Sequence, residues 1–434
     1  MHPIPSGALQ IIEKLRSGGH QALLVGGCVR DWLMGRPPVD WDVATDADPA
    51  VVRGLFDRVV PVGAQFGVTL ILLDDGEYEV ARLRRDGPYL DGRHPEEVEF
   101  ADVVADAHRR DFTINGMFYD PVAGQTIDHV GGREDIAAGL IRAIGRPQQR
   151  FAEDYLRMLR AVRFAARLQF SIEPETFAAI RAGASNILQV SRERIRDELT
   201  AILTQGRAGA GMQMLLDAGL LAHILPEVVA MDGVPQPPEF HPEGDVWTHV
   251  KLLLDDLEKP SATLAWGALL HDIGKPKTMR RTDRIRFNGH DAAGAEMAAD
   301  ICRGLRMSNR ETDRIVQLTA QHMRIGRARE MRPSKLKRML RQPLFPELLE
   351  LHRLDCLASH RMLDVYAFCR EQLAAADDCL RPQPLLTGAD LIGMGYASGP
   401  SFREMLASLE DAQLDGSVAD REQAIAFVRE RFSR

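Results

Sequence analysis

Asp40 and Asp42, two residues apart in VDWDVAT, are residues whose type and spacing could do chemistry. In a strand, positions i and i+2 point to the same face, so the spacing predicts a strand presenting both carboxylates together. Like charges held that close repel unless a cation sits between them, and hard divalent cations prefer carboxylate oxygen. Earlier in the same stretch, Gly26-Gly27 ends the apolar run Leu23, Leu24 and Val25 and opens a short helix carrying Arg30 and Asp31. Paired glycines let backbone N–H groups approach an anion closely, as in phosphate cradles. Alone, the Gly-Gly pair is an ordinary turn and the Asp-x-Asp a solvated edge or a cap. Together, from Leu23 to Thr45, they predict a site for a metal-bound triphosphate. Glu79 is a candidate third metal-facing carboxylate, with a solvated strand residue as the equal alternative.

A second concentration lies between Arg142 and Arg167, where seven arginines stand against Glu153 and Asp154. Arginine suits phosphates and base edges because its planar fork bonds in two places at once. On one helix beginning near Phe151, Arg157 would neighbour Glu153 at i, i+4 and Asp154 at i, i+3. The plain alternative is a helix salt bridge. Arg160 and Arg163, interleaved with Leu156, Leu159 and Phe164, keep further guanidinium groups near one face.

The elements that must position these groups follow from pattern. Residues 5 to 20 read as a helix with apolar positions Leu9, Ile12 and Leu15, ended by Gly18-Gly19. Asp48-Pro49 starts another helix, and Gly67 to Leu73 and Tyr78 to Leu83 read as strands. Short strands mixed with helices over residues 20 to 140 predict a small α/β domain. Residues 84 to 98 read as a polar Gly- and Pro-containing loop of the length often used as a lid, with a disordered insertion as the alternative. From the helix near Phe151 onward almost every segment reads helical, with a break at the prolines of 233 to 242.

At 434 residues the chain is too long for one core and predicts two to four domains. Its 45% hydrophobic and 27% charged content is ordinary for a soluble protein. No apolar run reaches the length of a membrane span, and the N-terminus lacks a signal segment. The five cysteines, Cys28, Cys302, Cys356, Cys369 and Cys379, show no C-x-x-C spacing, which predicts a reducing, cytoplasmic setting. Net charge is −8, so nucleic-acid binding must rest on local basic patches such as the arginine cluster.

Six motifs in order carry a family resemblance: VGGCVRD (25–31), VDWDVATDA (39–47), RRDFTING (109–116), IDHVGG (127–132), RFAEDYLRMLRAVRF (150–164) and ERIRDEL (193–199). The chain resembles the class II tRNA nucleotidyltransferases, the CCA-adding enzymes and bacterial poly(A) polymerases. The resemblance implies an α+β architecture: a small mixed-sheet nucleotidyltransferase head (1–142), then an all-α neck for base selection and RNA binding (143–232), an HD domain (241–370) and a helical tail (371–434). It implies two Mg²⁺ ions on Asp40 and Asp42, and triphosphate contacts from Gly26, Gly27, Arg30 and Arg110. Base reading would fall to Asp154 and Arg157, with Arg160 and Arg163 meeting phosphate or primer. The implied partners are tRNA, CTP and ATP. Gly116 departs from the alanine of many relatives.

The second half resembles an HD phosphohydrolase domain at His249, His271-Asp272 and Asp355, with His290 and His322 extending the pattern toward a second metal. Histidine and carboxylate suit Mn, Ni or Fe-type ions. The resemblance implies phosphomonoester or 2′,3′-cyclic phosphate hydrolysis, or else a degenerate scaffold. Residues 385–416 resemble the family's tRNA-holding tail. Addition of C, C and A is the leading expectation. An A-adding enzyme, a poly(A) polymerase or a catalytically dead RNA or nucleotide sensor are the rivals, and the loop at 84–98 argues against CC addition alone.

Overall fold

The computed structural model describes residues 2–61, 67–87, 98–375, 380 and 382–432. The chain divides into two compact units, Met1–Val229 and Ala230–Arg434.

The first unit is built on a seven-stranded mixed sheet. Its strands are β1 (Ala22–Val25), β2 (Val43–Thr45), β3 (Val59–Pro61), β4 (Val68–Leu73), β5 (Gly76–Arg82), β8 (Met117–Asp120) and β9 (Gln125–Asp128). A separate hairpin supplies β6 (Arg84–Asp86) and β7 (Val98–Phe100). The sheet order is β3-β4-β5-β2-β1-β8-β9, with β2 and β5 parallel and every other neighbouring pair antiparallel. All four residues of β1 are buried, because both faces of this inner strand are covered. Ala22 and Leu24 join the core beneath the Ser6–Ser17 helix, while Leu23 and Val25 pack with Leu83, Ala107 and Phe118. That two-sided burial explains the unbroken apolar run.

The Ser6–Ser17 helix buries Ala8, Ile11, Ile12 and Leu15, a stripe at i, i+3, i+4 and i+7. Leu9, expected on that face, is 42% exposed. Residues 88–97, most of the expected lid, lie outside the described residues; their flanks pair as β6 and β7, with Arg84 opposite Phe100.

Beyond the sheet the first unit is helical apart from a two-residue parallel pairing of Leu140–Ile141 with Ser171–Ile172. The expected single helix from Phe151 is two helices, Pro147–Glu153 and Leu156–Leu168, with Asp154 in an extended conformation between them. Asp154 Oδ1 accepts the N–H of Leu156 at 3.1 Å, so the break is capped by the same carboxylate that interrupts the helix.

In the second unit, helices Val246–Asp255, Ala262–Leu270, His290–Gly304, Asn309–Gln321 and Phe345–Ala358 surround a histidine-rich centre. Close packing there depends on Gly274, where a Cβ would lie 2.2 Å from the carbonyl oxygen of His290. Helices Gly388–Gly393, Ser401–Leu414 and Arg421–Arg431 share a separate apolar cluster including Leu391, Leu409 and Val428. Cys28, Cys302, Cys356 and Cys369 are free, and Cys379 lies outside the described residues. No described helix is long and apolar enough to cross a membrane.

Candidate active sites

Strand β2 begins at Val43, so Asp40 and Asp42 precede the strand that was expected to hold them. Asp42 still takes part in the ladder: its carbonyl accepts the N–H of Val25 at 3.0 Å, holding it beside the glycine turn. Gly26 has φ +78°, a left-handed conformation open to glycine at no steric cost. A Cβ there would lie 3.2 Å from Nη1 of Arg110, so the turn and that guanidinium are neighbours. Asp40 is exposed and Asp42 half-buried. Burial pushes the Asp42 carboxyl up to about 7; the charges of Asp40 and Glu79 push the same way, and Arg110 opposes them. Asp42 therefore sits among negative charge that Arg110 offsets only in part, and carboxylate oxygen in such a place fits a hard divalent metal. Exposed Glu79 acts electrostatically on Asp42.

The arginines have definite partners. Arg110 forms an ion pair with Asp106 at 2.9 Å. Arg30 is buried, donating from Nε to Asp31 at 2.8 Å and from Nη1 to Asn115 at 2.6 Å. Asp111 receives Arg160 through both Nε (2.8 Å) and Nη2 (2.7 Å). It also accepts Nδ2 of Asn115 at 3.1 Å. Burial alone would raise its carboxyl, but the Arg160 charge, the hydrogen bonds from Asn115 and Arg160 and the charge of Arg157 together outweigh that and hold it at about 2. Arg163 donates to Glu198 at 2.7 Å. The guanidinium groups of Arg30, Arg160 and Arg163 lie within 5.3 Å of the Phe164 ring centre, in cation–π range.

Asp154 and Arg157 do not pair with each other through their side chains. Arg157 binds the Glu153 carboxylate and donates to the carbonyl of Arg150 at 2.9 Å. Asp154 receives a fork from Arg194, Nη1 to Oδ1 at 3.2 Å and Nη2 to Oδ2 at 2.7 Å. Arg194 was not singled out from the sequence, although it lies in the ERIRDEL motif; no local spacing links positions forty residues apart.

In the second unit the expected residues converge. Ligating atoms of His249, His271 and Asp355 lie within 4.8 Å of one another, as do those of Asp272, His290 and His322. Nδ1 of His271, His290 and His322 bonds to the carbonyls of Ala268 (2.8 Å), Phe287 (2.8 Å) and Thr319 (2.7 Å). Those carbonyls select the tautomer whose Nε2 carries a lone pair, the usual way a histidine is oriented toward a metal. Asp355 approaches Nε2 of His249 at 3.1 Å, and Asp272 approaches Nε2 of His271 at 3.2 Å. Both Nε2 atoms are buried with no hydrogen-bond partner among the described residues, and Nε2 of His290 lies 3.1 Å from Nε2 of His322. This set fits a borderline transition-metal ion.

Two further residues complete the centre. Glu243 accepts Nδ1 of His249 at 2.7 Å. Lys275 reaches Asp272 Oδ2 and Gln236 Oε1, each at 2.6 Å. Burial works against the charged form of His249, but Asp355 and Glu243 prevail and raise it to about 9. Burial, helped by the charge of His271, lowers His322 to about 4.

Over 347 residues the sequence is 37% identical to the multifunctional CCA protein of Laribacter hongkongensis, covering 76% of this chain and 84% of that protein. The chain belongs to the CCA-adding enzyme family. Within this family, the CCA-adding enzyme of Bacillus subtilis is 44% identical over 215 residues, 49% of this chain and 54% of that relative, so the chain spans about half its length. The crystal structure of the Bacillus stearothermophilus CCA-adding enzyme in complex with CTP matches with a TM-score of 0.79 at 26% identity, covering 99% of this chain and 98% of that one. Residues 22–142 match the poly A polymerase head domain, 169–231 the probable RNA- and SrmB-binding site of polymerase A, and 245–358 the HD domain. The nucleotidyltransferase and HD families are both metal-dependent.

Proposed function

We propose that this CCA-adding family member adds C, C and A to the 3′ ends of tRNA from CTP and ATP. The observation that carries this reading is the placement of Asp42, held through its carbonyl by the N–H of Val25 at the Gly26 turn, with the Arg110 guanidinium beside that turn. Asp40 and Asp42 would hold Mg²⁺, which when bound activates the attacking 3′-hydroxyl and offsets charge on the leaving pyrophosphate. Gly26, Gly27, Arg30 and Arg110 bind the triphosphate in this reading. Asp154 accepts a hydrogen bond from the exocyclic amine that cytosine and adenine share, and Arg157 donates to the acceptor beside it. Guanine and uracil present a carbonyl where the amine should be, leaving Asp154 facing an acceptor. Arg160 and Arg163 meet phosphate or primer. The working division is a head at 1–142, neck at 143–232, HD domain at 241–370 and tail at 371–434, acting in the cytoplasm.

A second activity is favoured by the two ligand groups around Asp272. His249, His271 and Asp355, with His290 and His322 across Asp272, would hold Mn, Ni or Fe-type ions and hydrolyse a phosphomonoester or a 2′,3′-cyclic phosphate.

The test of the first reading is incubation with tRNA transcripts ending before CCA, after C and after CC, supplying each nucleotide separately. Stepwise C, C, A addition is expected. Extension of the CC-ending transcript alone would assign an A-adding enzyme, and unlimited A addition a poly(A) polymerase. No pyrophosphate release from any pair would mark a non-catalytic sensor.

A further inference from the structure

The most basic stretch of the second unit plays no part in either reading. Residues 324–341 carry eight cationic side chains against the single carboxylate of Glu330, in a chain whose net charge is −8. The stretch starts beside His322, as a nine-residue 3₁₀ helix, His322–Glu330. Side chains three apart eclipse one another in such a helix. His322, Ile325 and Ala328 therefore share the buried face, and Arg324 and Arg327 stack on another that is exposed. Arg329, Arg332 and Lys335 are exposed as well.

How these cations are compensated separates them into two groups. Arg338 and Arg341 bind Glu410, at 2.7 and 2.6 Å, and Lys337 donates to the carbonyl of Leu414 at 2.8 Å. Those three tie the segment to the helix Ser401–Leu414. In the exposed group compensation is thinner. Arg324 donates to the neutral amide of Gln321 at 3.2 Å, and Arg329 donates to the carbonyl of Asp364 at 3.1 Å with that residue's carboxylate 3.9 Å away. Arg327, Arg332 and Lys335 meet no carboxylate within ion-pair distance among the described residues. Stacking like charges costs free energy, and a solvated charged face normally mixes both signs. A strip in which one of five cations meets a carboxylate, continuous with His322 of the histidine–aspartate centre, fits a polyanion whose phosphates supply the missing charge.

We propose that Arg324, Arg327, Arg329, Arg332 and Lys335 form a docking strip for the phosphate backbone of an RNA chain that leads to the histidine–aspartate centre. The strip makes the substrate of that centre an RNA rather than a free nucleotide, and in this it rests on the phosphohydrolase reading. Binding itself does not rest on that reading, so the two can fail separately.

The test uses the full-length chain carrying Arg327→Gln, Arg332→Gln and Lys335→Gln together, with Arg303→Gln as a control elsewhere on the unit's surface. Circular dichroism checks that the variants are folded. Fluorescence anisotropy with labelled tRNA transcript is read across a salt series. Removing one cation that neutralises a phosphate reduces the slope of log K against log salt by about 0.7 to 0.9. The triple variant is expected to lose at least tenfold in affinity and about two units of slope, with the control unchanged. Unaltered affinity and slope would overturn the proposal, as would strip-dependent binding to phosphatidylglycerol vesicles in place of RNA. Turnover of bis(p-nitrophenyl) phosphate, which is too small to need the strip, reports the centre alone. Equal turnover by wild type and variant, beside slower hydrolysis of a 3′-phosphorylated RNA, supports the docking role. Equal loss on both substrates would overturn it.

Discussion

Asp42 is the residue where burial and charge act most directly on the proposed chemistry. Its carboxyl is raised to about 7 from an ordinary 3.8, so the folded, metal-free protein holds this proton more tightly than the unfolded chain. The stability from that preference is complete below about pH 4 and is lost as pH rises through 7. Asp42→Asn cannot lose it. In chelator at pH 8 the variant is expected to melt a few degrees above wild type, with the gap closing at pH 4; equal melting temperatures at pH 8 would refute the raised value. The same change should remove nucleotide incorporation by about 10³-fold or more, since metal stabilisation is worth several kcal/mol at tenfold per 1.4. Arg194 acts differently. Its fork orients Asp154, so under the proposed base-reading role Arg194 would be a positioning residue for base choice. Arg194→Gln should raise incorporation of UTP relative to CTP by about tenfold, on the scale of 1–3 kcal/mol for a two-point base contact. A fall in kcat for CTP with selectivity intact would assign it a merely structural role.

At the scale of elements, breaks matter more than regular segments. The chain leaves helical geometry at Asp154 and resumes at Leu156, which turns the Asp154 carboxylate toward Arg194 and leaves Arg157 to Glu153. Helical spacing alone predicts a continuous helix there, because leucine, methionine and arginine are all good helix formers; the break depends on a partner forty residues away. The Gly274 contact is a second example. Since the atom a Cβ would strike is the backbone oxygen of His290, Gly274→Ala must displace the helix His290–Gly304. Overpacking of this kind costs about 1–3 kcal/mol. Urea unfolding should register that loss, and metal analysis should show weaker binding at the second unit; unchanged stability would mean that the helix repositions freely.

Across the whole molecule, two compact units carry two donor sets of different chemical hardness. Oxygen ligands in the first suit Mg²⁺, and mixed nitrogen and oxygen ligands in the second suit a transition ion. Chelation followed by Mg²⁺ alone is therefore expected to restore nucleotide incorporation without restoring phosphoester hydrolysis, and Mn²⁺ or Ni²⁺ should then recover the second activity. Recovery of both activities by Mg²⁺ would show that the centres are not chemically distinct.

The sequence by itself determined what depends on residues near one another along the chain. The β1 strand, the glycine turn, the helical second half and the adjacent His271-Asp272 are all of this kind, because periodicity, turn chemistry and short spacing are local; the strand expected to hold Asp40 and Asp42 begins only at Val43. It misassigned Leu9 for a local reason too: the stripe that packs is Ala8, Ile11, Ile12 and Leu15, and only the neighbouring core decides which of two overlapping stripes turns inward. The fold, and nothing in local spacing, settled the pairings of Asp111 with Arg160 and Asp154 with Arg194. Each joins residues separated by forty or more positions, and each is settled by packing, since a buried charge must find a partner wherever the fold brings one.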